Sequence, residues 1–478
     1  MAFSDQQLAL CVDLDGTLLD SDMLIEAGFA CLKKSPGKVL SLLGWLGQGR
    51  ASLKGYLAEH SSVDVSVLPY NQSVMRLIGE AKAAGRHVVL ATATHRHLAE
   101  RIAEHLGCFD EVFSTQEGVN LSARQKSERL VERFGEGGFD YVGNAADDLA
   151  VWRCANSAII VNPERGVERL ARAHANVTTV LETRQSQLRA WVKALRLHQW
   201  MKNLLVFVPL LASHNLTDPW LLADGVLAFV FFGVCASSVY LLNDLLDLND
   251  DRHHVSKRHR PFAAGTLPIK HGLAAFPLLL LTAFLGAWML LPIEFVGVLL
   301  VYYGLTLAYS LWLKRHMAVD VIGLASLYTV RIIAGAAALG LPLTFWILGF
   351  SMFIFLSLAL VKRHAELHEA RQQGQQAPAR GRGYYPGDLE MIASLGAAAG
   401  YMAVMVLALY IQDEATQTLY SQPQIIWLAC PVLLFWITRV WILTHRGEMH
   451  DDPVIFAAKD KVSLATGGLL AVIFFIAT

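Results

Sequence analysis

The sequence predicts a multidomain protein, with a soluble α/β domain over residues 1–185 and an all-α transmembrane bundle over residues 186–478. Of the 478 residues, 54% are hydrophobic, which is too many for an ordinary soluble protein. Charged residues occur throughout the first 185 positions, where the apolar runs are short, as in buried parallel strands. From about residue 200 onward, long apolar runs dominate.

The apolar runs of the second domain predict about nine transmembrane helices, since roughly 20 apolar residues are needed to cross a bilayer. These lie near 200–213, 220–242, 271–291, 293–313, 318–340, 343–361, 388–411, 424–443 and 461–477. The first is short and also suits a tilted or partly interfacial segment.

The charges of the connecting loops predict the orientation in the membrane. Lysines and arginines occur in the second, fourth, sixth and eighth connections, and the odd connections contain none. The positive-inside rule places the even connections in the cytoplasm. We therefore expect an inner-membrane protein with a cytoplasmic N-terminal domain and with Thr478 outside. The polar start, Met1–Gln7, argues against a cleavable signal peptide.

Composition also argues against several kinds of partner and site. The formal net charge of −1, with no basic stripe interleaved with aromatic residues, does not favour nucleic-acid binding. The six cysteines lie far apart with no Cys-x-x-Cys pair, so neither a zinc site nor a disulfide framework is indicated. The oligomeric state is left open, and a homo-oligomer is compatible with the sequence.

Two carboxylates follow the first apolar run of the soluble domain. The predicted strand Leu8–Val12 leads into Asp13-Leu14-Asp15-Gly16-Thr17. In phosphoryl transfer, the first carboxylate can attack phosphorus and the second can protonate the leaving oxygen. Further predicted strands are His87–Ala91, which is followed directly by Thr92, and Phe139–Val142.

Taken in order, these pieces and the later Lys126, Asn144 and Asp148 resemble the haloacid dehalogenase-like phosphohydrolases. The resemblance covers about residues 8–185. It implies a Rossmann-like fold with a small helical cap over about residues 20–80. It further implies Mg²⁺ as cofactor, Asp13 as nucleophile and Asp15 as general acid/base. Thr92 and Lys126 would bind phosphate.

One position departs from this family, which usually has aspartate where this chain has Asn144. An asparagine can ligate Mg²⁺ through its carbonyl oxygen, but a negative charge is lost. The candidate metal ligands are Asp13, Asp15, Asn144 and Asp148. The domain is either an active phosphatase or a degenerate domain that binds phosphate or only stabilises the protein.

A run of carboxylates at the end of the apolar stretch Leu221–Leu242 is the strongest signal in the second domain. Asp244, Asp247 and Asp251 are spaced i, i+3, i+7, within an arc of about 60° on a helix, and Asp250 points elsewhere. One charge in hydrocarbon costs roughly 2.5–3.5 kcal/mol, so three would cost roughly 7–10. We therefore expect a cation at this face.

The pattern N-D-x-x-D-x-x-x-D, from Asn243 to Asp251, resembles the first aspartate motif of the UbiA-type intramembrane prenyltransferases, a nine-helix superfamily. Mg²⁺ prefers oxygen ligands shared between carboxylates and substrate phosphates, so these aspartates would hold it against a diphosphate. An exposed acidic helix end is the alternative. The downstream cations are either phosphate ligands or positive-inside anchors: Lys257, Arg258 and Arg260.

Other polar residues lie at or inside the predicted spans. Lys202 and Asn203 stand at the mouth of the first span, where they bind a phosphate headgroup or belong to an interfacial helix. Arg331 lies mid-span, and it is either a site residue or a structurally paired cation. The remaining candidates flank the fourth and sixth connections: Tyr309, Lys314, Lys362 and Arg363.

Four sequence blocks together narrow the resemblance: HQWMKNLLVF at 198–207, NDLLDLNDDRHHVSKRHRPFAAG at 243–265, KRHAEL at 362–367 and HDDPVIFAAKD at 450–460. They are similar to the polyprenyl-phosphate phosphoribosyltransferase branch, including the decaprenyl-phosphate enzymes, over about residues 190–478. This implies 5-phosphoribosyl 1-diphosphate as donor, a polyprenyl phosphate as acceptor and nucleophile, and pyrophosphate as leaving group.

The sequence therefore predicts a bifunctional membrane enzyme that uses Mg²⁺ in both domains, with the fused phosphatase removing the 5-phosphate from the lipid-linked sugar. Two alternatives remain. One is a prenyltransferase that moves a prenyl group from its diphosphate to an aromatic or other acceptor. The other is a non-catalytic or transport-like protein whose soluble domain senses phosphate.

Overall fold

The computed structural model describes residues 8–34, 55–57, 60–61, 63–115, 121, 123–183, 186–374, 383–449 and 452–478. Residues 35–54 of the cap predicted over about 20–80, the predicted polar start and His450 lie outside the described residues. The chain divides into two compact units. One comprises Met1–Leu195 and Tyr240–Pro277, and the other comprises Arg196–Val239 and Leu278–Thr478.

The first unit contains a parallel sheet of six strands in the order β3-β2-β1-β4-β5-β6. The strands are β1 (Ala9–Val12), β2 (Val88–His95), β3 (Glu111–Thr115), β4 (Phe139–Gly143), β5 (Ser157–Val161) and β6 (Val177–Leu181). Strand β2 extends beyond the predicted end at Ala91, so Thr92 lies within it. Strand β1 pairs with β2 and β4 on its two sides, so their carboxyl ends meet at one edge.

Alternate residues of the strands pack on opposite faces of the sheet. Leu10 and Val12 belong to one apolar cluster, whereas Ala9 and Cys11 belong to another. Burial on both faces explains the continuous apolar character of these strands. The α-helices described between residues 23 and 194 are α1 (Met23–Lys34), α2 (Gln72–Ala83), α3 (Arg96–Leu106), α4 (Ala123–Phe134), α5 (Leu149–Trp152), α6 (Val167–His174) and, after residue 185, α7 (Gln187–Ala194). The predicted Rossmann-like α/β domain is thus confirmed.

The described residues after 196 contain seven helices long and apolar enough to span a membrane. They are Pro219–Leu246, Ile269–Leu290, Ile293–Leu311, Val319–Leu339, Phe345–Gln372, Pro386–Tyr410 and Pro423–His445. An eighth is obtained if Pro453–Lys459 and Lys461–Ala477, bent by 81°, count as one span. These helices indicate an integral membrane protein.

The predicted count of nine spans is not confirmed within the described residues. The region predicted as the first span forms a 3₁₀ helix, Leu197–Phe207, followed by the short α-helix Val208–Ala212. Pro209 lies at the start of that α-helix, where its missing N–H is tolerated. Neither piece reaches the length that a bilayer requires.

Helix Val319–Leu339 is the most buried of the spans in the second unit. A Cβ atom at Gly335 would lie 1.9 Å from the carbonyl oxygen of Val206, so only glycine allows this approach of the two backbones. Small residues have this role in membrane helix packing. The close packing holds Asp320 and Arg331, both on this helix, in the interior.

Candidate functional site

The α/β domain places its polar residues where β1 and β4 end. Asp13 directly follows β1, and its amide donates a hydrogen bond to the carbonyl oxygen of Val142 in β4 (3.0 Å). Asn144 directly follows β4. Gly16 has φ of +77°, and a Cβ there would lie 2.3 Å from Asn144 Nδ2. Glycine therefore permits the turn after β1 to pass close to Asn144.

Lys126, on α4, forms ion pairs with two carboxylates at this edge. Its Nζ lies 2.7 Å from Asp13 Oδ1 and 3.8 Å from Asp148 Oδ1. It also donates to Tyr141 Oη (2.9 Å), which in turn donates to Asp148 Oδ1 (2.9 Å). Burial raises the pKa of Asp13 despite the opposing ammonium group. Burial alone would lower the pKa of Lys126, but Asp13 and Asp148 outweigh it and raise that pKa.

Asp15 is held by two donors. Its Oδ1 accepts a hydrogen bond from the amide of Met23 (2.7 Å), the first residue of α1, and its Oδ2 accepts from Thr94 Oγ1 (2.8 Å). The Thr94 amide donates to Oγ1 of the fully buried Thr92 (3.0 Å). Thr94 and Tyr141 were not among the predicted site residues. The second threonine of the Thr-Ala-Thr run was the available signal for Thr94.

Asn144 and Asp148 are oriented by short-range hydrogen bonds. Asn144 Oδ1 accepts from Thr17 Oγ1 (3.3 Å). Asp148 Oδ2 accepts from the amides of Asn144 (2.9 Å) and Ala145 (3.0 Å). The buried oxygen donors of Asp13, Asn144 and Asp148 suit Mg²⁺, which would contribute positive charge beside a bound phosphoryl group.

The acidic cluster belongs to the same compact unit. Helix Pro219–Leu246 is followed after Asp247 by helix Leu248–His253. Backbone bonds from Asp247 to Asn243 (2.9 Å) and from Asp251 to Asp247 (2.8 Å) continue the helical pattern through this junction. Asp244 and Asp251 are therefore both directed inward and buried, while Asp250 is exposed.

Arg260 provides a cation for this cluster. Its Nη1 lies 3.1 Å from Asp244 Oδ1 and 2.7 Å from Asp251 Oδ2. Burial raises the pKa of Asp251 to about 6, although the Arg260 guanidinium opposes the shift. Asp247 is half-buried, whereas Lys257 and Arg258 are exposed on the 3₁₀ turn Lys257–His259.

The described residues contain no group of three or more His, Cys, Asp or Glu side chains positioned to hold a metal ion. Asp244 and Asp251 already share one cationic nitrogen, so their oxygens can share a cation.

In the second unit, Asp452 brings two lysines together. Its Oδ2 lies 2.7 Å from Lys202 Nζ and 3.2 Å from Lys362 Nζ, and its Oδ1 accepts from Tyr328 Oη (3.2 Å). Burial opposes ionisation of Asp452, but the two ammonium groups outweigh it and hold its pKa well below the usual range. Asp452 was not among the predicted site residues, although the block at 450–460 contains it.

Arg331 is enclosed by aromatic and amide groups. Its Cζ lies 5.1 Å from the ring centroid of Tyr302 and 5.3 Å from that of Phe232, and its Nε donates to Asn203 Oδ1 (3.0 Å). Asn203 is buried, and among the described residues its Nδ2 group has no hydrogen-bond partner. The cation thus has structural partners, while Asn203 retains a donor.

Two further predicted residues meet at Asp320. Tyr309 donates to its Oδ1 (2.7 Å), and Arg363 Nη2 lies 2.8 Å from its Oδ2. Asp320 and Arg363 are almost completely buried. Lys314 is half-buried on the nearby 3₁₀ turn Leu313–Arg315. The buried carboxylate of Asp320 therefore holds Tyr309 and Arg363 together.

Comparison with known proteins assigns a family to each of the two parts of the chain. Residues 204–464 match the UbiA prenyltransferase family, and residues 10–172 match the haloacid dehalogenase-like hydrolases. An uncharacterized protein of Sinorhizobium fredii is 38% identical over 475 residues, which cover 99% of this chain and 92% of that protein.

A decaprenyl-phosphate phosphoribosyltransferase of Mycobacterium tuberculosis is 37% identical over 278 residues, covering 57% of this chain and 88% of that protein. A solved UbiA homolog from Archaeoglobus fulgidus, bound to GPP and Mg²⁺, is 15% identical with a TM-score of 0.46. That match covers 60% of this chain and 100% of the other. The chain belongs to the UbiA prenyltransferase family and carries an N-terminal haloacid dehalogenase-like domain.

Proposed function

We propose that the chain transfers 5-phosphoribose from 5-phosphoribosyl 1-diphosphate to a polyprenyl phosphate and releases pyrophosphate. The observation that carries the proposal is the 37% identity to a decaprenyl-phosphate phosphoribosyltransferase, along 88% of that protein. In this reaction an oxygen of the lipid phosphate bonds to C1 of ribose, and the bond from C1 to the diphosphate breaks.

Asp244 and Asp251 would hold Mg²⁺ against the leaving diphosphate, with Asp247 as a further candidate ligand. The ion would neutralise charge that develops on the diphosphate oxygens. Arg260, which already lies between the two buried carboxylates, would contribute a fixed positive charge to the same group. The role is supported by the contact of both carboxylates, Asp244 and Asp251, with the single Nη1 atom of Arg260.

A phosphate group of a substrate would bind at the cluster of Lys202, Lys362 and Asn203. Two ammonium groups share the single carboxylate of Asp452, so the three charged groups retain a net positive charge. The available Nδ2 donor of Asn203 supports the same role. Charge-assisted hydrogen bonds of this kind are the stronger ones in phosphate recognition.

The α/β domain, which we assign to residues 1–185, would then remove the 5-phosphate from the lipid-linked sugar. Asp13 would attack phosphorus, Asp15 would protonate the departing ribose oxygen, and water would release phosphate from the aspartyl intermediate. Thr92 and Lys126 would bind the phosphate oxygens. This coupling requires a cytoplasmic N-terminal domain, as the loop charges favour.

Membranes that contain the protein should incorporate label from 5-phosphoribosyl 1-diphosphate into a polyprenyl phosphate acceptor. The competing reaction is prenyl transfer to an aromatic or other acceptor, which the family membership favours in general terms. The two are separated by parallel incubations with labelled phosphoribosyl diphosphate and labelled prenyl diphosphate, followed by lipid extraction. Label entering lipid only from the prenyl donor would refute the phosphoribosyl proposal.

Lys202→Gln is expected to raise the KM of one phosphate-bearing substrate by about tenfold, the loss typical of one hydrogen bond to a charged group. Initial rates at varied donor and varied acceptor concentrations identify which substrate is affected. Lys461→Gln is the matched control, because Lys461 is an exposed lysine of the same unit. Equal KM values for the two variants would exclude Lys202 from substrate binding.

A further inference from the structure

Arg252 and Glu26 form a buried ion pair between the two sequence-defined domains, within one compact unit. The Arg252 Nη1 and Nη2 atoms donate to Glu26 Oε2 (2.7 Å) and Oε1 (2.6 Å). Ser21 also donates to Glu26. Arg252 is 7% exposed and Glu26 is 5% exposed. The pair is therefore bidentate and shielded from water, unlike an ordinary surface ion pair.

Both partners lie beside residues assigned to chemistry. Arg252 directly follows Asp251, and its Nε donates to the carbonyl oxygen of Ala263 (3.0 Å). It therefore ties the acidic cluster to the segment that follows Arg260. Glu26 lies on α1, and the amide of Met23 at the start of that helix donates to Asp15. One ion pair thus joins the acidic-cluster segment to α1, the helix whose first amide donates to Asp15.

A second contact shows that this segment and the α/β domain fit closely. Gly265 has φ of +70°, and a Cβ there would lie 2.6 Å from Asp20 Cβ and 3.2 Å from Pro69 Cβ. Only glycine satisfies both the backbone angle and the close approach. Exposed pairs lie farther out, between His253 and Asp64 (3.0 Å) and between Lys270 and Glu164.

We propose that Glu26 and Arg252 are positioning residues that dock the segment 248–267 onto the haloacid dehalogenase-like domain and so hold Asp251 and Arg260 in place for transfer. The domain would then be a structural part of the transferase, in addition to its own chemistry. The transfer readout rests on the proposed function, whereas the docking itself does not.

Hydrogen exchange of the purified full chain, without substrate, tests the docking directly. In Glu26→Gln, exchange of backbone amides in 248–267 should rise about tenfold or more, because a buried charge loses its partner. Gly265→Val should have the same local effect without changing any charge. The controls Asp64→Asn and Glu164→Gln break only exposed pairs and should stay within about twofold of wild type. Unchanged exchange in Glu26→Gln and Gly265→Val would overturn the proposal.

Kinetics of the same variants test the consequence for transfer. Glu26→Gln should lower the kcat of transfer about tenfold, while hydrolysis of p-nitrophenyl phosphate stays within about twofold of wild type. The double variant Glu26→Gln/Arg252→Gln should be no worse than Glu26→Gln alone, since the two groups act through one contact. A larger loss of kcat in the double variant than in Glu26→Gln alone would contradict the action of the two groups through one contact. If wild type transfers no phosphoribose, the proposed function fails, and the exchange experiment still decides the docking.

Discussion

Asp244→Asn is expected to lower phosphoribosyl transfer by on the order of 10²–10³-fold, the loss seen when one preorganised charge-stabilising group is removed. Asp244 is buried and shares Arg260 Nη1 with Asp251. An asparagine at position 244 therefore removes one of the two negative charges that contact this nitrogen. Initial rates with labelled 5-phosphoribosyl 1-diphosphate, measured over a range of Mg²⁺ concentrations, give the loss and show whether added metal restores activity.

Asp250→Asn is the matched control for this experiment. Asp250 belongs to the same run of carboxylates and differs in being exposed. We expect its activity to stay within about twofold of wild type, as for a surface substitution. Equal activities of the two variants would show that only the total charge of the segment matters, and the metal-holding role of Asp244 would be wrong.

Asp13→Asn is expected to reduce phosphate release from the phosphoribosyl lipid by on the order of 10³-fold or more, the scale on which loss of a nucleophile acts. The lipid-linked sugar should then accumulate with its 5-phosphate attached. Asp13 is the carboxylate closest to Lys126 at the end of β1, so the amide removes both the attacking oxygen and the ion pair. Mass spectrometry of extracted lipids distinguishes the phosphorylated from the dephosphorylated product.

Asp147→Asn provides the comparison for the phosphatase. Asp147 is exposed beside the buried Asp148, and its loss should leave phosphate release unchanged. If wild-type protein forms the phosphoribosyl lipid but releases no phosphate from it, the coupling is wrong. The domain would then be a degenerate member of its family, consistent with asparagine at position 144.

Much of the α/β site was predictable because its residues follow strands that are neighbours in the sheet. Once β1 and β4 pair in parallel, Asp13 and Asn144 must lie at the same edge. The spacing of Asp244 and Asp251 likewise predicted a shared face, because helical periodicity is a local property. The span count was less predictable, since a 3₁₀ segment and an α-helix have similar apolar composition over 197–212.

The partners of the buried charges were not predictable from spacing. Lys202 meets Asp452 across 250 positions of sequence, and Arg252 meets Glu26 across 226. Arg331, a site candidate by its mid-span position, has aromatic rings and Asn203 as partners. The partner of a buried charge depends on which helices pack together and on which carboxylate becomes buried beside a given cation.

Patterns within short segments of the sequence were enough to predict an α/β domain and a membrane domain, the strand-end carboxylates and the acidic helical face, because apolar runs and helical periodicity are local properties. Three further contacts could be read only from the packing of the folded chain: Arg260 lies between Asp244 and Asp251, Asp452 contacts two lysines, and Glu26 pairs with Arg252. Burying a charge is costly without a partner, and the packing of the elements determines which partner is within reach.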